Sequence, residues 1–352
     1  MLSYDAATNR PSKENDDPCL SHKVFAVAPM VDWTDRHYRF FARLLTKNAL
    51  LYTEMIVDNA IIHGNKKHIL GFTPEEKPLA VQIGGMDSTK LIEAARIAED
   101  FGYNEINFNV GCPSVKVQSG SFGACLMLEP DYVGDCIAAI RSAICIPVTV
   151  KCRIGVDDQI PAIALRNLIK SVKQAGVNGV WIHARKAMLK GLSTSENRHI
   201  PELDYKLVYA IKEENPDLFI GINGGIKNMQ QALQLLPNVD GVMLGRAAYQ
   251  NSHILTSVDR YFMNPLTGQY PTISQIVDKD FWLKISDDIS AYAEQHVATG
   301  EKLGRITRHI LGLFYGFPNA RRCRHILSVE ANMPTSTHII IKKAFDLMIE
   351  SL

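Results

Sequence analysis

Apolar residues along the chain gather into short runs that end in polar or glycine-bearing turns, and between these runs they return at helical spacing. The first run is Val24-Phe25-Ala26-Val27-Ala28-Pro29-Met30. The pattern recurs at Leu50–Ile56, Leu79–Gly84, Glu105–Val110, Val148–Ile154, Gly179–Ala184, Leu218–Asn223 and Gly241–Gly245, giving eight candidate strands. The intervening segments, such as Asp87–Phe101 and Ile160–Gln174, have the spacing of amphipathic helices. Strand and helix alternating about eight times over roughly 250 residues predict an α/β chain of the (β/α)8 barrel type. The competing arrangement, an open doubly wound sheet, usually has fewer strands and a Gly-rich first turn. Ala28-Pro29-Met30 is no such turn.

After the eighth run the pattern changes. A Pro/Gly-bearing link, Asn264–Thr272, leads to helix-like stretches at Phe281–Thr299, Lys302–Tyr315 and Thr337–Ser351. The expected division is therefore a lead-in over 1–22, a barrel over 23–264 and a helical domain over 273–352. The stretch Met1–Cys19 has no apolar centre and carries Asp5, Glu14, Asp16 and Asp17, which argues against a signal or transit peptide.

Composition narrows the partners. With 38 Lys+Arg against 37 Asp+Glu, overall charge demands neither a nucleic acid nor a membrane. No apolar run approaches the roughly 20 residues that span a bilayer. Seven Cys, an odd number without paired C-x-x-C spacing, fit a reducing compartment and give no sign of a disulfide framework or a metal site. A cytoplasmic monomer without metal is the expectation. One local exception to charge neutrality lies between Glu301 and Glu330, where Lys302, Arg305, Arg308, Arg321, Arg322 and Arg324 face two acids, with His309 and His325 alongside. Arg305 and Arg308 share a helix face, and Arg321 to Arg324 follow the Gly316-Phe317-Pro318 break. Such a run is an ordinary solvated face or, with Tyr315 nearby, a surface for a phosphate backbone.

Barrel chemistry collects where strands end, at the C-terminal face. Pro29-Met30 closes the first strand, Gln82 the third, Asn109 and Cys112 the fourth, Lys151 and Arg153 the fifth, His183 and Arg185 the sixth, Asn223-Gly224-Gly225 the seventh and Gly245-Arg246 the eighth. Barrel strands are otherwise Val/Ile/Leu-rich, so a Lys and an Arg within Val148–Ile154 need a reason. Asn-Gly-Gly alone is a turn; joined to Gly245-Arg246 on the next strand it offers bare backbone and charge to a phosphate. Gln82 can pair with donor and acceptor edges of a planar ring, Ala28, Pro29 and Met30 offer an apolar shelf, and Lys151 places a cation beside it. That set suits a flavin whose reduced ring carries negative charge. The plainer alternatives are an ion-paired Lys151 and a core imidazole at His183. In Asn109-Val110-Gly111-Cys112-Pro113, Gly and Pro end the strand and turn the thiol toward a cleft. With a reference value of about 8.5, an unactivated Cys112 is mostly protonated at neutral pH and can donate a proton as well as attack. Cys125, at what looks like an apolar helix start, reads as packing, and Cys136, Cys145 and Cys152 lie in apolar helical or strand contexts.

The ordered segments Ala28–Arg36, Asn109–Ser114, Val150–Arg153, His183–Lys186, Asn223–Gly225 and Gly245-Arg246 closely resemble the tRNA-dihydrouridine synthases, from about Val24 to Glu330. Leu189–Ser193, Glu196–Arg198 and Thr307–Phe314 resemble the A-type branch, which modifies uridines 20 and 20a of the D-loop. The resemblance implies an FMN-bound barrel joined to a helical tRNA-binding domain. It implies reduction of the flavin by NADPH, hydride transfer from N5 to C6 of a flipped-out uracil, and protonation of C5 by Cys112. Gln82, Lys151, His183, Asn223, Gly224, Gly225, Gly245 and Arg246 would hold FMN, with Ala28, Pro29 and Met30 under the ring. Asn109, Arg153 and His183 would face the uracil; Ser195, Glu196, Arg198, Arg305 and Arg308 would meet tRNA. Met188 and Ser195 depart from the branch, which commonly carries Trp and Lys there. Two other readings remain at this point: a flavin barrel reducing a free pyrimidine or enone, and a flavin-free RNA-binding protein.

Overall fold

The computed structural model describes residues 23–262, 264 and 277–351. The expected lead-in over 1–22 and most of the link after Asn264 lie outside them. Eight parallel strands form one sheet: β1 (Val24–Val27), β2 (Leu51–Val57), β3 (Leu79–Gly84), β4 (Glu105–Val110), β5 (Val148–Arg153), β6 (Gly179–His183), β7 (Phe219–Asn223) and β8 (Gly241–Leu244). Their order, β1-β8-β7-β6-β5-β4-β3-β2, brings the first two strands face to face. A parallel bridge between Ala26 and Leu50 closes the circle, with Leu50 N–H donating to Phe25 O at 2.9 Å and Val27 N–H to Leu50 O at 3.0 Å. The barrel predicted from the apolar runs is therefore present, with each strand within a few residues of its predicted limits.

Local chemistry explains where the helices start. Asp35, Asp87, Asp204 and Asn228 each accept backbone N–H bonds as N-caps of the helices Arg36–Leu45, Ser88–Phe101, Tyr205–Glu214 and Met229–Leu235. Pro130 and Pro161 open two others, where a missing N–H costs nothing.

Inside the barrel, a small apolar cluster of Val24, Ala26, Ala28, Leu50, Tyr52, Ala80, Trp181, Phe219 and Met243 fills the floor. Trp181 is its largest member and only 1% exposed. It fits because its neighbours lack side chains: a Cβ on Gly221 would stand 2.1 Å from Trp181 Cε3, and one on Gly241 would stand 2.8 Å from Cη2. The second apolar face of each strand packs on the helices in the main core.

The C-terminal part is helical, with Lys279–Ala298, Gly304–Ile310, Ala320–Ser328 and Ile339–Ile349. The predicted Lys302–Tyr315 helix is an α-turn pair followed by a tighter 3-10 segment, Leu311–Phe314. The Ala320–Ser328 helix, carrying Arg321, Arg322 and Arg324, was not foreseen, because the Gly316-Phe317-Pro318 break hid its start. These helices dock on the first barrel helix: Tyr292 stacks on Phe40 with centroids 3.9 Å apart, and its hydroxyl lies 2.9 Å from His37 Nδ1.

Candidate active site

Register places the polar residues of the strands on the inside. Gln82 pairs with Asn107 across β3 and β4, Asn107 with Thr149 and Asn109 with Lys151 across β4 and β5, Arg153 with His183, and His183 with Asn223. A strand's side chains alternate, so Glu105, Asn107 and Asn109 all point inward. They form a continuous chain of bonds. Asn109 Nδ2 donates to Gln82 Oε1 and Gln82 Nε2 to Asn107 Oδ1, both at 2.7 Å. Asn107 Nδ2 donates to Thr149 Oγ1 at 2.8 Å; the Thr149 and Tyr52 hydroxyls both donate to Glu105. Glu105, Asn107, Thr149 and Tyr52 escaped the sequence reading, although polar residues at every second position of an otherwise buried strand were the available signal. Gln82 was expected to present both amide edges to a planar ring. In the structure it is 1% exposed, with Nε2 donating to Asn107 and Oε1 accepting from Asn109, bonds that leave a second amide N–H and a second oxygen lone pair.

The loop after β4 is held from two sides. Asn109 Oδ1 accepts from Gly111 N–H at 3.2 Å and Cys112 N–H at 3.0 Å, and Cys112 O accepts from Ala124 N–H at 2.9 Å. Gly123, at φ 75°, must be bare, since a Cβ would lie 2.7 Å from Cys112 O. Arg153, expected to face a substrate, is buried, with Nε donating to Gly111 O and Nη1 to Lys186 O and Asn197 O at 2.9–3.2 Å. It thus ties the Cys112 loop to the loop after β6. Gln118 adds a second tie, donating to Pro113 O and Leu189 O.

Half-buried Cys112 shares its surroundings with cations. Burial pushes its thiol above the usual range, and the charges of Arg153, Lys151 and Arg198 only partly oppose this, so the protonated form prevails. Lys151 donates to Asn223 Oδ1 at 3.2 Å; burial and then Arg153 hold its ammonium down to about 8. Burial, followed by the charges of Arg153, Lys151, Arg185 and Arg246, holds His183 well below its usual value and neutral. Five cations (Lys151, Arg153, Arg185, Arg198, Arg246) therefore meet at one mouth, and among the described residues no carboxylate pairs with any of them. Arg185 Nε is buried with no acceptor. An uncompensated set of this kind asks for an anion.

Beside them, Gly224 (φ 112°) and Gly225 (φ 73°) turn the chain after β7 in a conformation other residues avoid. A Cβ on Gly224 would press within 2.6 Å of the His183 ring, and one on Gly245 would meet Met30 Sδ at 3.5 Å and Ala28 Cβ at 3.7 Å. The apolar Ala28–Met30 turn, the bare Gly224-Gly225 backbone and the cations thus border one space. Arg246, at the start of the short Arg246–Gln250 helix, contacts His199 Nε2.

The rim residues are dispersed. Ser195 and Glu196 are exposed on the loop after β6, where Glu196 accepts from Ser193 N–H at 2.7 Å and Arg198 Nε donates to Thr194 O. Asn197 fastens that loop through Met188, its amide donating to Met188 O at 2.9 Å. Arg305 and Arg308 are both exposed on the Gly304–Ile310 helix, Arg305 lying 3.9 Å from Glu301 and Arg308 2.7 Å from Asp35. His309, read from sequence as part of the basic patch, is completely buried between Asp35 and the Tyr249 hydroxyl. Arg321, Arg322 and Arg324 are exposed, as is Tyr315 at 64%. Cys125 lies within the 3-10 helix Gly123–Leu128, its thiol donating to Phe122 O, and Cys145 lies in the turn before β5 rather than in a helix or strand.

Comparison with known proteins agrees with this architecture. The chain is 49% identical over 325 residues to the tRNA-dihydrouridine(20/20a) synthase of Yersinia pestis, covering 92% of this chain and 91% of that protein. The protein of the same description from a Synechocystis species is 48% identical over 303 residues (86% and 88%), and that from Vibrio vulnificus 47% over 320 (91% and 95%). Residues 26–347, barrel and helical region together, match one family, and the chain belongs to it: the dihydrouridine synthases.

Proposed function

We propose that the protein reduces uridine to 5,6-dihydrouridine in the D-loop of tRNA, at the positions 20 and 20a named for its relatives. The observation that carries the reading is a mouth lined by five cations, with no carboxylate paired to them among the described residues, containing a protonated thiol and a neutral imidazole. Those donors fit FMN. Gly224, Gly225, Gly245 and Arg246 would take its phosphate, Lys151, Asn223 and His183 would lie along the ring, and Ala28, Pro29 and Met30 would line its apolar side. Gln82, oriented by Asn107 and Asn109, would meet the ring with the remaining amide N–H and oxygen lone pair. When bound there, FMN would supply hydride chemistry for C6 of the uracil, with NADPH as the reductant.

The chain's own residues do the rest. Reduction of the C5=C6 bond needs one proton at C5, and Cys112 Sγ is its donor; solvent then returns the proton to the thiolate. Asn109 fixes the Cys112 backbone, and Arg153 fixes the loop that carries it. A flipped base costs a few kcal/mol, recovered by stacking and edge contacts in the mouth. The barrel over 23–264 would hold the chemistry. The helical unit over 273–352 would hold tRNA through Arg305, Arg321, Arg322 and Arg324, aided at the rim by Ser195, Glu196 and Arg198. Arg308 serves that surface indirectly, through its pair with Asp35. Such a protein would work as a monomer in the cytoplasm, where its tRNA is; among the described residues no helix is long and apolar enough to cross a membrane.

The decisive experiment is Cys112→Ala assayed in two halves. NADPH-dependent flavin bleaching should persist, while dihydrouridine formation in tRNA falls by about 10² to 10⁴. Equal loss of both activities, or a purified protein that neither carries nor takes up FMN, would remove the reading.

A further inference from the structure

One cluster of potential ligands lies away from the mouth, where the helical region meets the barrel. His37 belongs to the Arg36–Leu45 barrel helix; His296 is in the last turn of the Lys279–Ala298 helix, and Glu301 follows just beyond it. Glu301 Oε2 lies 2.8 Å from His296 Nδ1 and 3.2 Å from His37 Nε2. One ligand atom from each residue falls within 4.8 Å of the other two, and the imidazole rings stand nearly perpendicular at 87°. We propose that His37, His296 and Glu301 bind one divalent cation of the zinc class, which clamps the helical region to the barrel.

Several features favour this occupant. Two imidazole nitrogens and one carboxylate oxygen form a borderline-soft N/O set suited to zinc, with water left to complete a tetrahedron. Metal–ligand bonds of about 2.0–2.1 Å place neighbouring ligand atoms about 3.3 Å apart, close to the two separations observed here. His37 has the outer partner that ligating histidines need: its Nδ1 lies 2.9 Å from the Tyr292 hydroxyl, leaving Nε2 directed at Glu301. Tyr292 is itself fixed by stacking on Phe40. The site has a way in, because the side chains of His296 and Glu301 are 20% and 23% exposed while His37 forms the floor. Its position also gives binding a consequence, since two ligands come from one structural unit and one from the other. The separation of His37 from the others along the chain explains why motif spacing gave no sign of it.

The test uses full-length, tag-free protein, stripped with chelator and kept reduced, dialysed against ZnCl2 and analysed for bound metal. Wild type should retain one zinc per chain and melt at a higher temperature as zinc increases. Glu301→Gln and His296→Gln, both at partly exposed positions, should bind at least about tenfold more weakly and show no zinc-dependent melting shift. Loading with Co2+ should give tetrahedral d–d absorption without thiolate-to-metal charge transfer, which separates this site from adventitious binding to cysteines. Absence of stoichiometric zinc in the wild type would overturn the proposal and leave a hydrogen-bonded clasp. Binding that survives both substitutions, or a thiolate charge-transfer band that does, would overturn it equally.

Discussion

Asp35 joins the barrel to the C-terminal helical region, and its replacement offers a calculable perturbation. Its Oδ1 caps the Arg36–Leu45 helix, accepting from His37 N–H at 3.0 Å and Tyr38 N–H at 3.1 Å. Its Oδ2 accepts from Arg308 at 2.7 Å and lies 3.0 Å from His309 Nε2. Losing the cap costs about 1 kcal/mol. Arg308 is 44% exposed, so its screened pair adds only about 0.5 kcal/mol. His309 is fully buried, and taking the carboxylate away from its ring there costs about 1–3 kcal/mol. Asp35→Ala should therefore destabilise by about 3 kcal/mol. Asp35→Asn keeps the capping oxygen but has only an amide NH2 where Oδ2 met Arg308 and His309, so it should lose about 1–2 kcal/mol, less than the Ala variant. Burial works to raise the Asp35 carboxyl, but the bond and charge of His309, the Tyr38 N–H and His37 outweigh it and hold the group well below the carboxylate range. A depressed acid contributes stability above its unfolded value of about 3.9 and loses it as pH falls further. The gap between wild type and Asp35→Asn should accordingly stay level from neutrality to about pH 5 and narrow below about 4. Urea unfolding followed in parallel by far-UV dichroism and fluorescence measures these differences while revealing any separate transition of the helical unit. An Asp35→Ala protein within about 0.5 kcal/mol of wild type, or an Asn variant as damaged as the Ala variant, would refute this account of the joint.

Three further outcomes are expected. Gly221→Ala forces a Cβ to 2.1 Å from the buried Trp181 ring, so it should cost on the order of 1–3 kcal/mol and lower the melting temperature; an unchanged melt would show that the ring does not rest on that glycine. Neutralising Arg321, Arg322 and Arg324 together should lower the slope of log affinity for tRNA against log salt by up to about three, whereas Arg308→Ala should weaken binding with a smaller slope change and a loss of stability. Because burial raises the Cys112 thiol, the proton-donating form persists as pH rises. Single-turnover dihydrouridine formation should stay level through neutrality and fall only above the ordinary thiol range, and a decline beginning near pH 7 would contradict that.

The sequence by itself determined the barrel and the membership of its mouth. Alternation of apolar runs with amphipathic segments is a local property, and strand ends converge in any (β/α)8 closure, so Cys112, Lys151, His183, Asn223 and Arg246 could be assigned to one face without coordinates. Recurrent motifs told the same story because they sit at those strand ends. What only the tertiary structure decided are partnerships between residues far apart in the chain. Side-chain type did not say that Gln82 bonds both Asn107 and Asn109, or that Arg153 braces backbone carbonyls. Nor did it say that His309 lies sealed against Asp35 while Arg321 stays in solvent, since both belong to one basic stretch of sequence. The meeting of His37 with His296 and Glu301 is the extreme case. Hydrogen bonds and ligand sites are short-range and directional, so they depend on how elements dock, and docking is settled by packing across the whole chain rather than by the order of its residues.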